Sequence, residues 1–274
     1  VIAENAKKWL KGTDAPLVAI EQGDFSKFCE CPQCRESVKK YGHSGTLIRF
    51  VNQVAREIKK DYPDILVTTL AYQFTSHVPL DTKADENIVI RYAPIEACVY
   101  HNFRDGNYNR EDFNVHGKMK GWVDISSRVW VWYYAEAQPL QIRPDMHAWS
   151  GNFKLMRDTG VRGVSTQTRV GTGKRIFLGD LRNYILARLT WDPDYDVKKG
   201  IKEFTRAVYG DAAYEMALYA QMVSDEKSYT GIYNYPKPMS RYSGFHTGAG
   251  GSTMAVFNRD KLEELDALFD RAEA

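Results

Sequence analysis

The chain has 274 residues, a length that suits one large domain or two ordinary ones. Hydrophobic residues make up 43% and charged residues 26%, which excludes wholesale disorder and collagen-like chains. The net charge is +2 and no stretch approaches the roughly 18 uncharged apolar residues of a membrane-spanning helix, so no nucleic-acid partner and no membrane-spanning segment is expected.

Strands and helices alternate through the first two thirds of the sequence. A helix opens the chain, and the first predicted strand follows it at residues 16–20. An amphipathic helix is predicted from Ser44 to a break at Asp61, with a core face made of Leu47, Phe50, Val51, Val54 and Ile58. Four further strands are indicated by apolar or β-branched runs at residues 65–72, 87–92, 127–134 and 161–167, with a helix at 149–159.

The remainder of the chain has helical periodicity, at residues 178–189, 197–208, 212–223 and 258–274. Alternating strands and helices predict a parallel sheet. Five strands with a helical cap suit a doubly wound sheet, and equally the second half of a (β/α)8 barrel whose first strands lie upstream of Val1. Both ends of the sequence fall within helical patterns, so we interpret it as a piece of a longer protein.

Polar and aromatic residues follow the predicted strands. Parallel sheets place their sites at the carboxyl ends of the strands, where this sequence has Glu21, Gln22, Asp24, Tyr72, Gln73, Glu96, Tyr100, His101, Asn102, Trp132, Tyr134, Glu136 and Gln167. Carboxylates interleaved with Trp, Tyr and Asn are typical of a carbohydrate site, because glycosidic cleavage needs an acid for the leaving oxygen and a second group beside the oxocarbenium-like centre. An oligosaccharide is the expected ligand.

Four cysteines form the densest local motif of the sequence. Cys29, Cys31 and Cys34 lie within six residues, and Cys98 follows a later strand. Four thiolates suffice for a tetrahedral structural zinc site. Two disulfides, or a reduced loop with no ligand, are the alternatives. The six histidines form no His-x-x-x-His pair, so no catalytic metal is expected. No cofactor is predicted for catalysis.

Several motifs together resemble one bacterial family. They are Gln22-Gly23-Asp24 with the Cys29-x-Cys31-x-x-Cys34 cluster, Ser44-Gly45-Thr46-Leu47, Tyr62-Pro63-Asp64, Thr69-Leu70-Ala71-Tyr72, Pro94-Ile95-Glu96-Ala97-Cys98, Val131-Trp132-x-Tyr134, and Leu181-Arg182-x-Tyr184 to Trp191-x-Pro193. Over nearly all of residues 1–225 the chain resembles the domain of unknown function 4838 family, part of which is classified as glycoside hydrolase family 163.

The resemblance implies an α/β fold in which this chain supplies the C-terminal portion of a (β/α)8 TIM-like barrel, with about five parallel strands. Residues 1–193 would form the barrel portion of a glycosidase-like catalytic domain, and residues 194–274 a helical extension. The implied activity is that of an endo-β-N-acetylglucosaminidase acting on complex N-glycans of glycoproteins. The implied location of the parent protein is secreted, periplasmic or cell-surface.

The resemblance also implies roles for individual residues. Glu96 would be the proton donor, and Asp24 would orient a substrate acetamido group or stabilise the charged centre. The sugar subsites would be lined by Gln22, Tyr72, His101, Asn102, Trp132, Tyr134 and Gln167. The sequence departs from the family pattern at Thr166 and Tyr133, where family members often have Glu and Asp.

Two other functions compete with this one. A glycosidase acting on uronates, such as an α-glucuronidase, would need cations for the sugar carboxylate, and Arg91, Arg104 and Arg169 are candidates. A non-catalytic carbohydrate-binding domain would have the aromatic residues without two acids flanking one glycosidic bond.

Overall fold

The computed structural model describes residues 1–24, 27–95, 97, 102–104, 114–135, 145–168, 178–224 and 259–274. The chain forms two compact units. The first comprises Val1–Pro94, Val115–Tyr133 and Asp158–Ser165, and the second comprises the described parts of Ile95–Asn114, Tyr134–Arg157 and Thr166–Ala274. The predicted division at residues 193 and 194 stays a prediction.

Five strands form one sheet, and all five were predicted from the sequence. Their bounds are β1 Leu17–Ala19, β2 Leu66–Tyr72, β3 Ile88–Ala93, β4 Val129–Tyr134 and β5 Gly163–Gln167. The pairs from β1 to β4 are parallel. Between β4 and β5, Arg162 N–H donates to the Val129 carbonyl at the start of both strands and Ala135 N–H donates to the Gln167 carbonyl at their end, which is also a parallel arrangement.

The order of the strands distinguishes the two predicted folds. It is β1-β2-β3-β4-β5, so each strand lies beside the next one in the sequence. A doubly wound sheet reverses its order at a switch point, whereas a (β/α)8 barrel adds its strands consecutively. The chain is therefore an α/β protein with a consecutive five-strand portion of a barrel-type sheet, followed by helices.

The helices lie between and after the strands. Their bounds are α1 Ile2–Leu10, α2 Pro32–Lys59, α3 Val115–Ile125, α4 Met146–Thr159, α5 Gly179–Trp191, α6 Val197–Tyr209, α7 Ala213–Met222 and α8 Arg259–Glu273. In the second unit, α7 and α8 pack through Leu265 and Leu268, and the rings of Tyr219 and Phe269 lie 4.9 Å apart. No helix in the described ranges is both long and apolar enough to cross a bilayer.

Helix α2 consists of two helical segments that meet at a kink at Gly42, whose φ of 75° favours glycine. The predicted start at Ser44 lies close to the start of the second segment, whereas the first segment, from Pro32 to the kink, was not predicted. Phe50 was predicted to be in the core, but it is 41% exposed, and Ile48 is buried instead. Since consecutive residues are about 100° apart around a helix, Phe50 lies about 160° from Ile48 and about 100° from Val51, outside the buried stripe that these two residues belong to.

Helix α3 was not predicted from the sequence. Its buried residues are Val115, Lys118, Met119 and Trp122, a helical spacing that two glycines dilute. Gly121 is required by close packing, because a Cβ there would lie 2.5 Å from Cγ2 of Val78. The indole N–H of Trp122 donates to the Ser76 carbonyl at 2.9 Å, which fixes the helix to the segment after β2.

The two faces of the sheet differ in chemistry. In β2, alternate residues Val67, Thr69 and Ala71 are fully buried, and α2 packs on this strand. The opposite face has Thr68, Leu70 and Tyr72, and Leu70 pairs with Arg91 of β3. Polar and aromatic side chains therefore occupy the sheet face that the barrel fold turns inwards, near the carboxyl ends of the strands.

Candidate functional site

Asp24 lies in the loop after β1 and is held from β2. Its Oδ1 accepts a hydrogen bond from the Tyr72 hydroxyl at 3.1 Å and another from Nε2 of Gln73 at 3.4 Å. The carboxylate is exposed. Two donors from one strand end therefore orient a carboxylate that remains open to solvent.

Gln22 ties the same two strand ends together. Its Nε2 donates to the Tyr72 carbonyl at 3.1 Å, and its Oε1 accepts from the Thr75 hydroxyl at 2.6 Å. The Thr75 hydroxyl also accepts from the Tyr72 backbone N–H at 3.2 Å. Both ends of the Gln22 amide are therefore satisfied by the β2 terminus, which makes this residue a support for the loop.

Gln73 occupies an unusual position beside Asp24. It begins a 3-10 helix, Gln73–Thr75, and has a φ of 51°. A non-glycine residue in this region costs roughly 1–3 kcal/mol and points to a functional constraint. Its Oε1 is buried and finds no hydrogen-bond partner among the described residues, whereas its Nε2 donates to Asp24. An acceptor next to the carboxylate is thus left for another donor.

A second carboxylate lies on the inward sheet face. Oε1 of Glu21 accepts from Nη1 of Arg91 at 3.0 Å and from the Thr68 hydroxyl at 3.3 Å. The Arg91 guanidinium carbon lies 4.7 Å from the centre of the Trp132 ring. The side chains of Glu21 and Arg91 are both 21% exposed. The charge of Arg91 is therefore neutralised by Glu21 and covers one face of Trp132.

The predicted site residues fall into three groups. The first group lies in the first unit, where hydrogen bonds link Gln22, Asp24 and Tyr72, and where Trp132 lies beside Arg91. The second group, Glu96, His101 and Cys98, lies outside the described residues.

The third group belongs to the second unit and consists of Asn102, Tyr134 and Gln167. Oδ1 of Asn102 accepts from the Arg104 backbone N–H at 2.9 Å, which caps a turn. Tyr134 and Gln167 are the last residues of β4 and β5 and are half-buried. Their roles toward a sugar stay predictions.

The sequence placed Glu21 and Gln73 at strand ends and offered Arg91 as a cation for a uronate, but it did not predict that Glu21 pairs with Arg91 or that Gln73 contacts Asp24. The two-residue alternation of strands puts Glu21 and Arg91 on one face once the register of the strands is known. Glu21 lies two residues after Ala19, which pairs with Thr68, and Arg91 pairs with Leu70, so the two charges share a face.

The cysteine segment lies at the start of α2. The ligand atoms of Cys29, Cys31 and Cys34 all lie within 4.8 Å of one another, so these three thiols could hold a metal ion. The hydrogen bond from the Cys34 backbone N–H lowers the pKa of Cys31, and interaction with the Cys31 sulfur is the main cause that raises the pKa of Cys34 to about 11. All three are free thiols.

Aromatic contacts connect the cysteine segment with the end of β2. The ring of Phe28 lies 4.0 Å from that of His43 and 5.6 Å from that of Phe74, between ring centres. Burial lowers the pKa of His43, and the charge of His77 lowers it further. Phe74 follows Gln73, so the residue before Cys29 packs against the residue after a partner of Asp24.

In the second unit, a buried ion pair fixes the end of β4. Arg182 donates to both carboxylate oxygens of Asp145, at 2.5 and 3.0 Å, and to the Ala135 carbonyl at 3.0 Å. The side chains are 1% and 2% exposed. The guanidinium carbon lies 4.7 Å from the centre of the Trp149 ring. Because these charges are paired and shielded from water, we interpret them as structural.

Comparison with known proteins identifies the family. A family model described as Domain of unknown function (DUF4838) matches residues 1–221. No curated protein and no solved structure matches the chain. The match includes the loop of Asp24, the cysteine segment and all five strands. The chain therefore belongs to the DUF4838 family.

Proposed function

We propose that the protein is a retaining glycoside hydrolase that cleaves glycans at N-acetylhexosamine residues, as the resemblance to glycoside hydrolase family 163 implies. Its substrate would be a complex N-glycan on a glycoprotein, cut in the manner of an endo-β-N-acetylglucosaminidase. We also propose that the parent protein is secreted, periplasmic or at the cell surface, because such glycans occur outside the cytoplasm.

The observation on which the proposal rests is the environment of Asp24. The carboxylate is exposed, yet Tyr72 and Gln73 orient it at the carboxyl end of the parallel strands. The buried Oε1 of Gln73 leaves an acceptor beside it that a sugar hydroxyl or amide N–H could satisfy. An oriented, solvent-open carboxylate suits a group that binds the acetamido N–H of the substrate.

The proposed reaction proceeds in two steps through the substrate's own acetamido group. Glu96 gives its proton to the glycosidic oxygen as the bond from that oxygen to the anomeric carbon breaks. The acetamido carbonyl oxygen bonds to the anomeric carbon, and Asp24 accepts a hydrogen bond from the acetamido N–H, which becomes more positive. Water then attacks the anomeric carbon, Glu96 takes a proton from it, and the acetamido group is restored, with net retention of configuration.

A uronate substrate has less support. The carboxylate of such a sugar needs a free cationic partner. Arg91 is already paired with Glu21 and covers Trp132, so it offers little to a second carboxylate. Arg104 is exposed, and Arg169 lies outside the described residues.

The experiment is a substrate panel with the protein at its full natural length. Wild type and Asp24→Asn are each incubated with a complex N-glycoprotein, with its chemically deacetylated form, and with a uronate-containing polysaccharide. Mass spectrometry detects released oligosaccharide. The proposal predicts release from the native glycoprotein alone, lost in Asp24→Asn. Release from the uronate polysaccharide alone, or from no substrate despite glycan binding, would overturn it.

A further inference from the structure

Three sulfur atoms converge at the start of α2 in a way that the proposed activity does not use. The ligand atoms of Cys29, Cys31 and Cys34 lie within 4.8 Å of one another. With metal–sulfur bonds of about 2.3 Å, the sulfurs of a tetrahedral site are roughly 3.8 Å apart. A small rearrangement of three side chains at one location would therefore complete three corners of such a site.

The helix start positions the backbone of two of these cysteines, Cys31 and Cys34. Cys31 is the N-cap of α2, and its Sγ accepts a hydrogen bond from the Cys34 backbone N–H at 3.5 Å. Pro32 follows at the first helical position, where its fixed φ suits the helix start. The positive end of the helix dipole also favours the negative charge of a metal–thiolate centre.

A disulfide explains this arrangement less well than a metal does. Pairing any two of these three cysteines leaves the third as an exposed or half-buried thiol, and its remaining partner in the sequence, Cys98, lies outside the described residues. Exposed carboxylates often cluster on protein surfaces, because water stabilises their charge. Neutral thiols gain little from water, so solvation does not explain three thiols within six residues whose sulfurs lie close together. A soft cation uses all three at once.

We propose that Cys29, Cys31 and Cys34 bind one Zn²⁺ or a comparable soft divalent cation. Each thiol releases its proton to solvent as its sulfur bonds to the metal. Cys98, predicted from the sequence as a fourth ligand, lies outside the described residues, so the proposal rests on three sulfurs and leaves one coordination position to another ligand.

The metal would also stabilise the support of Asp24, an effect that rests on the proposed function. Phe28, adjacent to the first sulfur ligand, packs against Phe74 and His43. Phe74 is adjacent to Gln73, whose amide donates to Asp24. A metal that fixes Cys29 therefore holds Phe28 against the short helix that orients the carboxylate.

The test measures metal binding without any substrate, so its failure would leave the glycosidase proposal untouched. The full-length protein with Cys98→Ser is reduced, stripped of metal, and titrated with Cd²⁺ while the ultraviolet thiolate-to-cadmium charge-transfer band is recorded. Zinc competition then gives the zinc affinity. We expect one cadmium per chain, displaced by one zinc.

Single Cys29→Ser, Cys31→Ser and Cys34→Ser variants should each weaken binding by more than about 100-fold, beyond the 10–100-fold typical of changes around the ligands. Glu30→Gln alters an exposed residue of the same segment and should bind as strongly as its parent. Because a variant could misfold, alkylation of the unaltered chain gives a second readout: zinc should protect these three thiols. A missing charge-transfer band, unchanged affinity in the serine variants, or alkylation unaffected by zinc would overturn the proposal.

Discussion

The hydroxyl of Tyr72 donates a 3.1 Å hydrogen bond to Oδ1 of Asp24, across 48 residues of sequence. Tyr72 is the last residue of β2, and Asp24 lies in the loop after the neighbouring strand β1. This contact fixes the orientation of an otherwise exposed carboxylate. It also explains why an aromatic residue with a hydroxyl ends the strand on its inward face.

Tyr72→Phe tests that contact, since it removes the hydroxyl and keeps the ring. A hydrogen bond to a charged group is worth roughly 1.5–3 kcal/mol, and about 1.4 kcal/mol corresponds to a tenfold change in rate. We expect kcat for glycan release to fall about tenfold or more while thermal unfolding changes little. Tyr214→Phe, at an exposed tyrosine on α7, is the matched control. Equal rates in the two variants would show that Tyr72 does not orient a reacting group.

Gly121→Ala is expected to destabilise the protein. The added Cβ would lie 2.5 Å from Cγ2 of Val78, and overpacking of this kind costs about 1–3 kcal/mol. Urea unfolding measures the loss. If the clash is the cause, combining the change with Val78→Ala should cost less than the sum of the two single changes. If the losses of unfolding free energy simply add, the clash with Val78 is not the cause of the loss in Gly121→Ala.

Arg182→Met should be among the most damaging single changes in the second unit. It leaves Asp145 and the Ala135 carbonyl buried without this partner, and breaking a buried pair costs about 3–5 kcal/mol. Adding Asp145→Leu should recover part of the loss, because no buried charge then remains. Arg157→Met, which removes an exposed pair with Asp194, should cost less than about 1 kcal/mol. Similar unfolding free energies for Arg182→Met and Arg157→Met would contradict this interpretation.

Stability should depend on pH through His43. Burial lowers its pKa in the folded protein below the usual 6.5, with a further contribution from His77. The unfolded chain therefore binds the proton more readily, so the stabilising contribution is present above pH 6.5 and is lost as the pH falls through the folded-state pKa. Urea unfolding on both sides of that pH measures the decline. His43→Phe keeps an aromatic ring against Phe28 and Phe74 but removes the titrating group, so the unfolding free energy of this variant should decline less as the pH falls. An equally steep decline in that variant would assign the effect to other groups.

The sequence predicted the sheet because most of its strands are short apolar or β-branched runs, as buried parallel strands often are. The run at residues 65–72, which contains Val67 and Ala71, is shorter than most helices, and its length therefore favoured a strand. Helix α3 was missed because Gly121, which the packing on Val78 requires, is a weak helix former. The exposure of Phe50 was missed because the phase of α2 is set by Ile48 and Val51, and an aromatic residue alone does not indicate the buried side.

For the site, strand ends were enough to bring Asp24 and Tyr72 together, because neighbouring parallel strands end at the same edge. The pairing of Glu21 with Arg91 depends on register across three strands, which no local pattern specifies. The same holds for Gln73, whose position beside Asp24 comes from a backbone turn with positive φ. Local chemistry was therefore predictable, and the partners of each group were not.

Oligosaccharide release from a complex N-glycoprotein by the full-length protein decides whether Asp24 and Glu96 carry a glycosidase activity, with mass spectrometry comparing wild type, Asp24→Asn and Glu96→Gln. We expect release by wild type, with an intact N-acetylglucosamine at the new reducing end, and loss of release in both variants with folding unchanged. Undiminished release by Asp24→Asn would contradict the assignment of this carboxylate to the active site. Absence of release by a folded wild-type protein would contradict the proposed activity itself.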